Sequence, residues 1–113
     1  MRYVSTRGAA PELGFADVLL AGLANDGGLY VPATWPALPD LGGLTAYADV
    51  AAAVMAPYVG DELGEGVLAR ICAEAYAGPD DPRPVFRHAD VVPLVELDHE
   101  QHLLELFHGP TLA

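Results

Sequence analysis

Leu104 Glu105 Leu106 Phe107 His108 Gly109 Pro110 Thr111 Leu112 Ala113 is the stretch on which the reading of this chain turns. Its first residues alternate apolar and acidic at Leu104, Glu105 and Leu106, as a half-buried strand does. Gly109 and Pro110 then break regular pairing, so residues 108–111 read as a turn where a strand leaves its sheet. That position is also where α/β proteins place small-molecule sites, and a threonine hydroxyl with neighbouring backbone amides binds phosphate oxygens without net charge. From the residues alone both readings stand, a structural turn and a ligand loop. The chain holds no lysine, and its five basic residues are Arg2, Arg7, Arg70, Arg83 and Arg87. A guanidinium stays protonated in proteins, so no side chain here offers the amine that a Schiff base requires.

Working back from that run, residues 91–97 and 102–107 flank the polar Asp98 His99 Glu100 Gln101, which predicts two strands joined by a tight turn. Gly78 Pro79 Asp80 Asp81 Pro82 Arg83 Pro84 is a loop, because its prolines prevent regular pairing. Residues 65–77 place Leu68, Ile71, Cys72, Ala75 and Tyr76 on one helical face. A preceding helix carries Tyr47, Val50, Ala51, Val54, Met55 and Tyr58 as a core-facing stripe, with Thr45 as its N-cap and Pro57 near its end. Residues 38–44, rich in Pro and Gly, connect it to what comes before.

Near the start, residues 3–6 are a short extended segment closed by Gly8 and Pro11. Phe15, Val18, Leu19 and Leu23 predict a helix over 15–24, stopped by Asn25 Asp26 Gly27 Gly28. Leu29 Tyr30 Val31 follows as a strand, ended by Pro32 and Pro36. The order is strand, helix, strand, loop, two helices and a terminal strand pair. The fold class is therefore α/β in the mixed α+β sense, with about three helices and short strands.

At 113 residues and 52% hydrophobic, the chain suffices for one core and one domain, burying about 65% of its unfolded surface. Its longest apolar stretches fall well short of the roughly 20 residues of a membrane span. No basic region followed by an apolar one opens the sequence, so no secretory signal is expected and a cytoplasmic location is the default. Sixteen acidic residues against five basic ones give a formal net charge of −11, which repels phosphate backbones and anionic lipid alike. Neither nucleic acid nor membrane is an expected partner. Cys72 is the single cysteine and has no internal disulfide partner.

Ser5, Thr6 and Arg7 form a polar cluster with a cation, open to two readings: a phosphate contact, or an edge strand with ordinary hydrogen bonds. Asp26 Gly27 Gly28 follows a helix and precedes a strand, the reverse of a phosphate loop, and reads as a turn. His88, His99 and His102 lack the ligand set of a zinc site, so no metal is expected. Glu96, Asp98 and Glu105 read as the wet face of the strands, and Ser5 and Cys72 have no base partner that would make either a nucleophile.

Three runs in order resemble threonine synthase. Tyr3 Val4 Ser5 Thr6 Arg7 is similar to that family's opening, Asp26 Gly27 Gly28 Leu29 Tyr30 Val31 Pro32 to its next motif, and Glu105 to Ala113 to the segment that precedes its cofactor lysine. Residues 15–24 look like the family's first helix, whereas residues 33–98 share only general character with it. The resemblance implies that residues 1–113 are the N-terminal domain of a fold type II pyridoxal phosphate enzyme, with the lysine and the cofactor phosphate loop beyond Ala113. It implies conversion of O-phospho-L-homoserine and water to L-threonine and phosphate, by elimination of phosphate and addition of water, with pyridoxal phosphate as electron sink. It places His108, Gly109, Pro110 and Thr111 beside cofactor or substrate, and makes the chain's partner its own catalytic domain. The chain alone is expected to be inactive. Two rivals are a stand-alone interaction or regulatory module derived from such a protein, and part of a related phospholyase acting on phosphorylated amino alcohols or threonine-like compounds.

Overall fold

A computed structural model describes residues 1–110. The element order matches the sequence reading: β1 (Tyr3–Ser5), α1 (Phe15–Ala21), β2 (Tyr30–Pro32), α2 (Tyr47–Val59), α3 (Val67–Ala75), β3 (Leu94–Asp98) and β4 (Gln101–Leu104). The strands form two separate antiparallel pairs, β1 with β2 and β3 with β4. In the first pair Val4 faces Val31 and Ser5 faces Tyr30, while Tyr3 also bridges Leu13.

α1 ends earlier than the apolar pattern predicts. Gly22 takes φ 68°, a left-handed conformation open to glycine at little cost, and its N–H closes onto the Val18 carbonyl. Leu23 therefore leaves the helix and stays exposed, and only Ala24 behind it is buried. The start of α1 has no cap of its own, because Gly14 has no side chain to offer. Glu62, from the loop after α2, supplies one: Phe15 N–H donates to Oε1 and Ala16 N–H to Oε2, each at 2.9 Å. These two bonds, Ala16 first, hold the Glu62 carboxyl below the usual carboxylate range.

α2 starts one residue later than expected. Ala46, not Thr45, sits at the cap position, and its carbonyl accepts from the Asp49 and Val50 amides. Pro57 falls in the last turn, where little helix follows for its ring and missing N–H to disrupt, and Gly60 ends the helix. The expected stripe is at the rim of the core: Tyr47, Val50, Ala51, Val54 and Tyr58 are half-buried and Met55 is exposed, whereas Val59 is buried. α3 is shorter than residues 65–77 and turns only Cys72 fully inward, with Ile71 and Ala75 exposed. Burial pushes the Cys72 thiol up.

The core is completed by Tyr3, Ala77 and Val91. Tyr3 lies against Phe15, ring centres 6.5 Å apart, and its hydroxyl donates to the Tyr58 carbonyl at 2.8 Å. That carbonyl is among the last of α2, which the helix itself cannot pair. Tyr47 meets Tyr76 edge to face, and Tyr76 meets Phe86, so the loop after α3 is packed on both helices. The hairpin departs from expectation: every residue of β3 and β4 is exposed, so the strands are not half-buried within the described residues. Their ladder is also shorter than predicted and is irregular between Glu96 and Asp98. No helix among the described residues is long and apolar enough to cross a membrane.

Candidate functional site

Two groups of the predicted site residues lie in the described structure. The first is the loop after the hairpin. β4 releases the chain at Leu104, and the Glu105 N–H then donates to the Pro93 carbonyl at 2.9 Å, which turns residues 105–110 back across the segment after α3. The Arg87 N–H donates to the His108 carbonyl at 3.0 Å. Phe86 lies under Gly109 so closely that a Cβ there would stand 3.2 Å from its ring. The His108 ring is flanked by Phe107, with centres 4.7 Å apart, and by His88, with centres 5.1 Å apart. Its Nε2 lies 2.6 Å from Oε2 of Glu105. Thr111, the fourth expected residue of this loop, lies outside the described residues.

Sequence reasoning missed Glu105, Phe86, Arg87 and His88 as parts of this loop. Glu105 was expected on the wet face of a strand, but the strand ends one residue before it and its side chain is mostly shielded. The available signal was the Glu105 to His108 spacing, which brings a carboxylate and an imidazole together across one turn. His88 packs on His108 and accepts from the Asp90 N–H at 3.1 Å. Among the described residues, no group of three or more His, Cys, Asp or Glu side chains is arranged to hold a metal.

The second group, Ser5, Thr6 and Arg7, closes on the turn that begins at Asp26. The Ser5 hydroxyl lies 2.8 and 2.9 Å from the two Asp26 carboxylate oxygens, and Oδ2 also accepts from the Ala9 and Ala10 amides at 3.0 Å. Oδ1 accepts from the Gly28 N–H at 2.9 Å. Thr6 Oγ1 accepts from the Leu29 N–H at 3.0 Å, and Arg7 donates to the Asp26 carbonyl at 2.9 Å. The Gly28 amide first, then the Ser5 hydroxyl and the Ala9 and Ala10 amides, hold the Asp26 carboxyl below its ordinary range. A cluster of backbone N–H groups of this kind is an anion nest, and here the chain fills it with its own carboxylate. Ser5 and Thr6 are committed to that knot, and Arg7 alone keeps N–H donors beyond its bond to Asp26.

The fold that holds these residues agrees with what comparison finds. Residues 2–76 match the family model described as the threonine synthase N terminus. The chain belongs to the threonine synthase family. A threonine synthase from Pseudomonas aeruginosa is 45% identical to it across the whole chain, which spans 24% of that relative. One from Corynebacterium glutamicum is 41% identical, again over the whole chain and 24% of the relative. The crystal structure of a pyridoxal phosphate-bound threonine synthase from Brucella melitensis superposes with a TM-score of 0.85 at 49% identity, over the whole chain and 24% of that structure. The chain thus spans about a quarter of the threonine synthases it matches.

Proposed function

We propose that this chain is the N-terminal domain of a cytoplasmic threonine synthase, a pyridoxal phosphate-dependent carbon–oxygen lyase that converts O-phospho-L-homoserine and water to L-threonine and phosphate. The observation that carries the reading is identity of 41 to 49% sustained over the whole chain, together with a shared fold, in proteins of that name. When bound, pyridoxal phosphate supplies the electron sink for such chemistry. The residues of this chain do not by themselves fit that cofactor, since 113 residues include no lysine and the Asp26 carboxylate fills the nest that Ser5 helps to build.

The chain's contribution is structural and local to substrate. His108, Gly109, Pro110 and Thr111 form a wall of the substrate cleft, and the exposed apolar side chains of the hairpin, Leu94, Leu97, Leu103 and Leu104, pack on the catalytic domain. The loop is suited to that role because its shape is set in advance by Phe86, Arg87 and Glu105.

The test is turnover by the full-length protein that carries this chain, supplied with O-phospho-L-homoserine. Equal amounts of L-threonine and phosphate are expected, and Thr111→Val is expected to lower kcat/KM by roughly 10-fold or more through loss of one hydroxyl contact. A keto acid or aldehyde in place of threonine overturns the reaction, and wild-type kinetics in Thr111→Val overturns the cleft wall.

A further inference from the structure

Two arginine–carboxylate pairs and two histidine–carboxylate contacts are present among the described residues, and they are not alike. Arg2 with Glu12, Arg70 with Glu74 and His88 with Asp90 have N–O separations of 3.8, 3.4 and 3.8 Å. All six of those side chains stand well in solvent, where such pairs contribute little. His108 and Glu105 differ on both counts, at 2.6 Å with side chains only 18% and 23% exposed. A short contact shielded from water is the arrangement in which a hydrogen bond to a charged group fixes geometry most strongly.

We propose that Glu105 is a positioning residue for His108, orienting its imidazole at the wall of the substrate cleft through the contact between Oε2 and Nε2. The proposal rests on the cleft-wall reading given above. An ionised carboxylate only accepts, so the hydrogen of this bond belongs to Nε2. Phe107 and His88 lie beside the ring, each tilted against it, Glu105 contacts its Nε2 edge, and the Arg87 N–H donates to its main-chain carbonyl. The ring's remaining freedom is rotation about its own side-chain bonds, and the Glu105 contact removes it. The groups around the ring that carry or gain charge are Glu105 on its own loop, and Arg87, His88 and Asp90 on the facing segment.

Glu105 itself is held for this purpose. Its amide is bonded to Pro93 at the base of the hairpin, and an adjacent turn brings its carboxylate onto the ring three residues on. Carboxylates that orient a metal-ligating histidine in this way are worth about 10- to 100-fold in affinity or activity, and that scale is taken for the same contact here, to within about 3-fold.

The experiment uses the full-length enzyme, assayed for phosphate release from O-phospho-L-homoserine across substrate concentration, with thermal melting as the check on folding. Glu105→Ala is expected to lower kcat/KM by about 10- to 100-fold. Glu105→Gln, whose amide oxygen still accepts from Nε2–H, is expected to stay within about 3-fold of wild type. In the His108→Ala background, Glu105→Ala is expected to add no further loss beyond about 3-fold, because a residue acting through the ring has nothing left to position. Proton NMR gives a readout independent of turnover: a downfield imidazole N–H resonance, assigned by its loss in His108→Ala, is expected in wild type and Glu105→Gln and absent in Glu105→Ala. Wild-type kinetics in Glu105→Ala, multiplied losses in the double variant, Glu105→Gln as impaired as Glu105→Ala, or a resonance that survives Glu105→Ala would each overturn the proposal. Wild-type kinetics in His108→Ala would instead overturn the cleft-wall reading beneath it, and the resonance would then report on the contact alone.

Discussion

Removing one oxygen from Tyr3 tests how this fold joins its first strand to the end of its longest helix. In Tyr3→Phe the ring against Phe15 is kept and only the 2.8 Å bond to the Tyr58 carbonyl is lost. Tyr3 is 7% exposed, so water does not freely replace the missing donor. The bond contributes about 1 kcal/mol, and leaving the part-buried carbonyl without a partner adds some of the roughly 1–3 kcal/mol that full burial would cost, so a loss of about 1.5 kcal/mol is expected. Against the roughly 5–15 kcal/mol that holds a domain together, that is a tenth or more of the total. With a urea slope of about 1.5 kcal/mol/M, the midpoint of unfolding of the 113-residue chain moves down by about 1 M at unchanged slope. Tyr58→Phe is the control, because it leaves the carbonyl and its donor in place and is expected to shift the midpoint by no more than about 0.3 M. A Tyr3→Phe midpoint within about 0.2 M of wild type would refute the reasoning, since it would mean that the carbonyl is as well served by water.

Acid should weaken the protein through two carboxylates. Asp26 and Glu62 are both held below their ordinary range by backbone amides, so their contribution is complete at neutral pH and fades as pH falls below about 4 toward their folded-state values. Asp26→Asn and Glu62→Gln are therefore expected to be less stable than wild type at pH 7 and to converge on it with acidification; denaturant melts that stay parallel from pH 7 to pH 3 would contradict this. Cys72, 2% exposed and with its thiol pushed up by burial, is expected to react with an aromatic disulfide reagent at least about 100-fold more slowly in the native chain than in the unfolded one, and prompt native labelling would show that α3 opens readily.

What the sequence disclosed and what it hid divide along a physical line. Periodicity found the three helices of the described residues, and the polar Asp98 to Gln101 segment between apolar runs found the β3–β4 hairpin, because both signals are local. The early stop of α1 was hidden because Leu23 and Ala24 continue the apolar pattern past Gly22, whose dihedral angles decide the matter. Thr45 was the wrong cap because a favourable residue type does not fix where the chain turns into the helix. Glu62 at the head of α1 and Asp26 beneath Ser5 could not be read at all, since each serves amides far off in the chain. At the candidate site, His108 and Gly109 were legible as a loop, whereas Glu105 was misassigned because alternation alone does not say where a strand ends.

The remote cap on α1 has a consequence for the order in which the molecule can be made. A seven-residue helix is too short to hold itself in water, and this one begins at a glycine that offers its amides nothing. Its missing acceptor arrives 46 residues later, with Glu62. On a ribosome, the first segment must therefore wait, with Tyr3 still uncovered, until α2 and the loop behind it have left the exit tunnel. The first strand and helix of this chain thus cannot settle before its middle has emerged.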